Sequence, residues 1–184
     1  RKQTQERINI AFIGKNATRL HEMEPGYIGA ARHCSGRPKQ PINLTTLQND
    51  FILSQANTAV GFNILDSTEP TILVCKKNVS TLKNLKKYFD LLRSQENLDI
   101  PLLLIDDEAD NASINTAKDR KRSTKINQKI KEILFKFKKS SYIGYTATPF
   151  ANIFIEPDED KEVLNQDLFP SDYIKALTPP SNYI

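Results

Sequence analysis

Ile105-Asp106-Asp107-Glu108-Ala109-Asp110 closes one apolar run of the chain, and Tyr145-Thr146-Ala147-Thr148-Pro149 closes the next. A carboxylate that ends a buried strand can hold Mg²⁺ through water, while its neighbour orients or deprotonates the attacking water. Mg²⁺ keeps most of its own waters, so one or two carboxylates are enough. Asp107, Glu108 and Asp110 are therefore the candidate catalytic residues, with Asp107 as the residue that holds Mg²⁺ through water. Four acids within five residues, Asp106 to Asp110, repel one another unless a cation or a basic partner stands beside them. The hydroxyls of Thr146 and Thr148 can hydrogen-bond back to that acidic turn. They are the candidate coupling residues, able to report nucleotide state to the rest of the protein. Each site also has a plainer reading: a solvated acidic turn after a strand, and a strand end with threonine as a β former and proline as a stop.

Other stretches carry weaker signals. Leu44-Thr45-Thr46 places small hydroxyls at a strand end, suited to contact with a nucleic-acid phosphate or simply to a turn. From Lys118 to Lys139 there are ten basic residues against Asp119 and Glu132, a pattern shared by solvated helix faces and nucleic-acid surfaces. No G-x-x-x-x-G-K-[ST] phosphate loop is present, and the one Gly-Lys pair, Gly14-Lys15, is followed by Asn16. Asp119-Arg120-Lys121 and Glu159-Asp160-Lys161 fit an acid-x-Lys nuclease pattern, but neither lies in an apolar strand. His33-Cys34 has no second ligand at metal spacing, because His21 is the only other histidine. Cys75, inside an apolar run, reads as a buried core thiol.

The elements that must position these residues follow from periodicity. Gln5 to Phe12 is helix-like. Asn16 to Pro41 is rich in Gly, Pro, Arg and His and reads as a long irregular loop. Pro41 to Thr46 is a short strand candidate, and Asn49 to Gly61 is ambiguous. Thr71 to Cys75 is an apolar, β-branched run of the kind covered on both faces of a sheet. Asn78 can cap a helix on which Leu82, Leu85, Phe89 and Leu92 share one face. Pro101 to Ile105 and Ser141 to Thr146 read as further buried strands. Thr124 to Lys139 reads as an amphipathic helix with Ile126, Ile130, Ile133, Leu134 and Phe137 on one side. Such alternation predicts βαβ units, a parallel sheet with helices on both faces, and ligands at the carboxyl ends of the strands.

The 184 residues suffice for one domain with a real core. A hydrophobic fraction of 39% and a charged fraction of 26% fit a globular protein, and no apolar run is long enough to span a membrane. The net charge of +4 permits a polyanionic partner without demanding one. The chain starts at Arg1 and has no signal-peptide pattern, so it reads as a piece of a longer cytoplasmic protein. Residues 1–155 read as the partial domain and 156–184 as an irregular acidic and Pro-rich segment.

Along these motifs the chain resembles the Z-one domain family, often labelled an endonuclease domain and built on a superfamily 2 helicase-like motor. The resemblance rests chiefly on Leu103 to Ser113 and Gly144 to Asn152. Gln3-Thr4-Gln5-Glu6-Arg7, Leu44-Thr45-Thr46, Lys76-Lys77-Asn78 and Pro179 to Tyr183 support it. It implies an incomplete RecA-like α/β domain using ATP and Mg²⁺ and acting on DNA in a bacterial restriction or phage-defence system. Asp107 and Glu108 would match the metal carboxylate and the water-activating residue, and Thr146 and Thr148 the coupling motif. Gln3, Gln5 and Arg7, with Thr45 and Thr46, would lie near the DNA strand. The implied partners are an upstream phosphate loop, a downstream second motor lobe, and nuclease or ATPase subunits. Two other readings stay open: a metal-dependent endonuclease centred on the acidic cluster, and a non-catalytic DNA- or protein-interaction domain.

Overall fold

The computed structural model describes residues 1–13, 41–54, 64–92, 96–110, 125–148, 168 and 172–178. The Gly- and Pro-rich stretch, His21, His33, Cys34, the basic run up to Thr124, Pro149 and Glu159 to Lys161 lie outside these residues, as do most of the acidic and Pro-rich C-terminal residues.

Helix α1, Lys2–Ile8, runs into one π-helical turn, Asn9–Ile13. Strand β1, Ile42–Asn43, pairs in parallel with β2, Thr71–Ile72. Helix α2, Val79–Leu92, leads to strand β3, Leu98–Asp107. Helix α3, Lys125–Leu134, then leads to strand β4, Phe137–Tyr145, which pairs in parallel with β3. The architecture is mixed α/β, and a helix follows a strand wherever the sequence pattern changes period. Among the described residues the strands form two two-stranded parallel sheets rather than one continuous sheet.

Asn78 caps α2 as its sequence position predicts, its Oδ1 accepting from the Thr81 amide at 2.9 Å. The apolar faces of α2 and α3 meet over one face of β3 and β4, with Leu82, Phe89, Leu98, Ile130, Ile133 and Phe137 buried between them. On α2, Lys86 and Asp90 pair four residues apart at 2.6 Å, and Asp90 also pairs with Lys136 at 3.4 Å.

Several predicted elements differ in the structure. The second helix pattern ends at Leu134, not Lys139, because the Leu98 amide donates to the Lys136 carbonyl at 2.8 Å and commits the next residues to β4. Phe137 fits the helical stripe by spacing, but its ring is buried from the first position of β4. Strands β3 and β4 are not covered on both faces. Leu103 and Ile105 are 58% and 59% exposed, since α2 and α3 both pack on the opposite side. Strand β1 stops at Asn43 because the Thr45 hydroxyl, not a backbone carbonyl, accepts the Val74 amide at 2.8 Å. The pairing of β3 with β4 slips by one residue between Leu98 and Pro101, where a proline without an N–H is tolerated.

No helix among the described residues is long and apolar enough to cross a membrane. Cys75 packs against the core, and burial pushes its thiol up to about 12, with Asp50 adding to the rise and Arg1 opposing it. The thiol therefore stays protonated through neutral pH. In a Cys34→Ser background, a thiol reagent at pH 8 should leave the folded protein unlabelled and label it on denaturation. Rapid labelling of the native protein would contradict the burial.

Candidate functional site

The carboxyl ends of β3 and β4 lie side by side, with Asp107 in register with Tyr145. The acidic turn that follows β3 is therefore delivered next to the threonines that follow β4. Two backbone features hold them together. The Ala109 amide donates to the Tyr145 carbonyl at 2.8 Å. Gly144 lets the turn approach closely, since a Cβ there would stand 2.9 Å from the Cβ of Ala109.

The four acids divide into two kinds. Asp106 is only 5% exposed. Its Oδ1 lies 2.9 Å from Lys77 Nζ, and its Oδ2 accepts from the Tyr142 hydroxyl at 2.9 Å. Asp110 accepts from Thr146 Oγ1 on one carboxylate oxygen and from Thr148 Oγ1 on the other, both at 2.6 Å. Thr146 Oγ1 also accepts the Thr148 amide at 3.0 Å, which sets the two hydroxyls toward the same carboxylate. Asp107 and Glu108 are exposed, and among the described residues no other side chain engages their carboxylates. The repulsion expected of four adjacent acids is relieved by tying down two of them.

Glu108 has φ of 53°, the left-handed region that a residue with a side chain enters at some strain. Lys77 Nζ donates to the carbonyls of Asp107 and Glu108 at 3.0 and 2.6 Å and secures that turn. An open depression of about 410 Å³ beside it is lined by Glu108, Asp110, Ala147 and Thr148. Among the described residues no three metal-ligating side chains converge. The donor set is a pair of exposed carboxylates, which suits a cation that keeps most of its waters, such as Mg²⁺.

The predicted coupling pair is thus placed on the acidic turn, through Asp110. Asp110 stands apart from Asp107 and Glu108: both of its oxygens accept from threonines and tie the turn to the residues after β4. Those hydrogen bonds, Thr146 first, hold its carboxyl below the ordinary aspartate value, with a smaller pull from Lys77. Its ionised form therefore favours the fold above the ordinary value of about 3.9. That contribution disappears as pH falls through the lowered one. Thr146→Val should raise the Asp110 pKa toward the ordinary value in a carboxyl-carbon NMR titration. An unmoved pKa would show that this hydrogen bond does not form in solution.

The predicted DNA-contacting set divides. Gln3 and Arg7 are exposed on α1. Gln5, Thr45 and Thr46 are buried and cannot offer a surface in this arrangement. Thr45 donates to Gln5 Oε1 at 2.9 Å, and Gln5 Nε2 donates to Asn9 Oδ1 at 2.9 Å. Asn43 Nδ2 donates to the same Asn9 oxygen at 3.2 Å. Thr46 Oγ1 accepts the Asn49 amide at 3.0 Å. This network anchors α1 to β1. Arg1 reinforces it by donating to the carbonyls of Thr46, Leu47, Asn49 and Val74.

Sequence reasoning assigned no role to Lys77. Its signal was available: a lysine two residues beyond the Thr71–Cys75 run and directly before the helix cap Asn78. Comparison of the chain with family models, curated proteins and solved structures finds no match.

Proposed function

We propose that this chain carries half of a nucleotide site of a DNA-dependent, Mg²⁺-ATP-hydrolysing motor. The observation that carries the reading is the joint engagement of Asp110 by Thr146 and Thr148 beside two unengaged carboxylates. A shift of the acidic turn is then transmitted directly to the segment after β4. Asp107 would hold Mg²⁺ through water, and Glu108 would orient and deprotonate the attacking water. The metal would supply charge neutralisation on the phosphate oxygens. These 184 residues contain no phosphate loop, so the triphosphate would rest on residues outside them. A RecA-like fold, a cytoplasmic setting and a role in a restriction or phage-defence system belong to the same proposal, through the resemblance to the Z-one domain family. Gln3 and Arg7, exposed on α1, remain the DNA-facing candidates.

A metal-dependent endonuclease is the second reading, favoured by the same two unengaged carboxylates. The full-length protein separates the two. The motor reading expects ATP hydrolysis and no ATP-independent DNA cleavage. Mg²⁺-dependent nicking without ATP, abolished by Asp107→Asn, would replace it with the nuclease reading.

A further inference from the structure

We infer that Lys77 is the positioning residue of the acidic turn, fixing the left-handed Glu108 and so setting where the Asp107 and Glu108 carboxylates stand. The inference rests on the motor reading for what those carboxylates do, but its geometry stands independently. An ammonium group has three donors and no acceptor. Lys77 Nζ has around it Asp106 Oδ1 at 2.9 Å and the carbonyl oxygens of Asp107 and Glu108 at 3.0 and 2.6 Å. Three successive residues are thereby gripped from one point. The grip is anchored at its root, because Lys77 directly precedes Asn78, whose side chain caps α2. It is also anchored at its far end, where the Tyr142 hydroxyl holds the second oxygen of Asp106. Removing the ammonium would take away the cation 2.9 Å from the buried Asp106 carboxylate and would release both carbonyls at the strained residue.

Charge and position predict opposite signs, which makes the role testable. A lysine beside a cation site repels the cation, so by Coulomb interaction alone its removal tightens divalent binding. If Lys77 instead sets the carboxylates, its removal weakens binding. Arginine keeps the charge but presents a planar fork that cannot reproduce the three-way grip.

The experiment uses the full-length protein with Mn²⁺ as the probe, its affinity read by electron paramagnetic resonance. Amide exchange of the peptide spanning 105–110 is measured in parallel. Lys77→Met and Lys77→Arg should both weaken Mn²⁺ binding, by roughly 10–100-fold as for other residues that orient metal ligands. Both should speed exchange at 105–110 while the rest of the protein stays protected. Lys76→Met, which removes the same charge one residue away, should do neither. Tighter binding in Lys77→Met with unchanged binding in Lys77→Arg would reduce Lys77 to a charge and overturn the inference. Loss of the fold in both Lys77 variants would overturn it as well. If the wild-type protein binds no Mn²⁺, the motor reading falls, and the exchange measurement alone decides: unchanged exchange at 105–110 would then refute the positioning role.

Discussion

Glu108→Gln in the full-length protein should lower ATP turnover by about 10²–10⁴-fold, the usual contribution of a positioned general base. Nucleotide binding should stay within a few-fold of wild type. The substitution preserves size and removes the charge that accepts the proton. Among the described residues no hydrogen bond of the turn uses the Glu108 carboxylate: the backbone carbonyl, not the side chain, is held by Lys77, and the neighbouring Ala109 amide is fixed on Tyr145. The turn should therefore keep its shape, and the effect should fall on chemistry. Steady-state hydrolysis and equilibrium binding of a fluorescent ATP analogue give the two numbers. Undiminished hydrolysis would remove Glu108 from the mechanism. Loss of binding in proportion to turnover would give it a structural part instead.

Phe89→Ala should destabilise the fold by about 3–5 kcal/mol, the usual range for a buried aromatic replaced by alanine. Phe89 is buried where α2 meets the start of β4. Its ring centroid stands 4.9 Å from that of Phe137, nearly edge-on at 80°, and 5.7 Å from that of Tyr88. Phe137 in turn faces Leu98 across the first pair of the β3–β4 ladder. The cavity would open where the pairing of the two site-bearing strands begins. Domain stabilities are about 5–15 kcal/mol, so a loss of this size is a large share of the total. Urea unfolding of the purified protein measures it. A loss under about 1 kcal/mol would mean that α2 does not pack on β4 as described.

The parts of this structure legible in the sequence are those governed by local rules. Asn78 caps a helix because its side chain reaches an amide three residues on, an interaction encoded entirely within a few positions. The strand–helix–strand order from Pro101 to Tyr145 followed from the change of hydrophobic period. The meeting of Thr146 and Thr148 with the acidic turn followed from placing both at the carboxyl ends of parallel strands. What the sequence could not supply were choices decided by distant partners. Phe137 fits a helical stripe, and only its pairing opposite Leu98 puts it in a strand. Leu103 and Ile105 look like residues of a strand buried on both sides, yet α2 and α3 share one face and leave them exposed. Thr45 looks like a surface hydroxyl for a phosphate and Gln5, through the resemblance, a residue near DNA, but each finds the other 40 positions away. Asp110 looks equivalent to Asp107 until both of its oxygens are occupied, and Lys77 looks like any surface lysine until its ammonium is found against Asp106 and the turn carbonyls.

The central claim is that the acidic turn and the threonines after β4 form one unit that turns over ATP in response to DNA. Its most direct test is the initial rate of ATP hydrolysis by the full-length protein, with Mg²⁺, across a range of double-stranded DNA concentrations. The rate should rise with DNA to a plateau, and that stimulation should be lost when Thr146 and Thr148 are both replaced by valine. No ATP hydrolysis at any DNA concentration would contradict it.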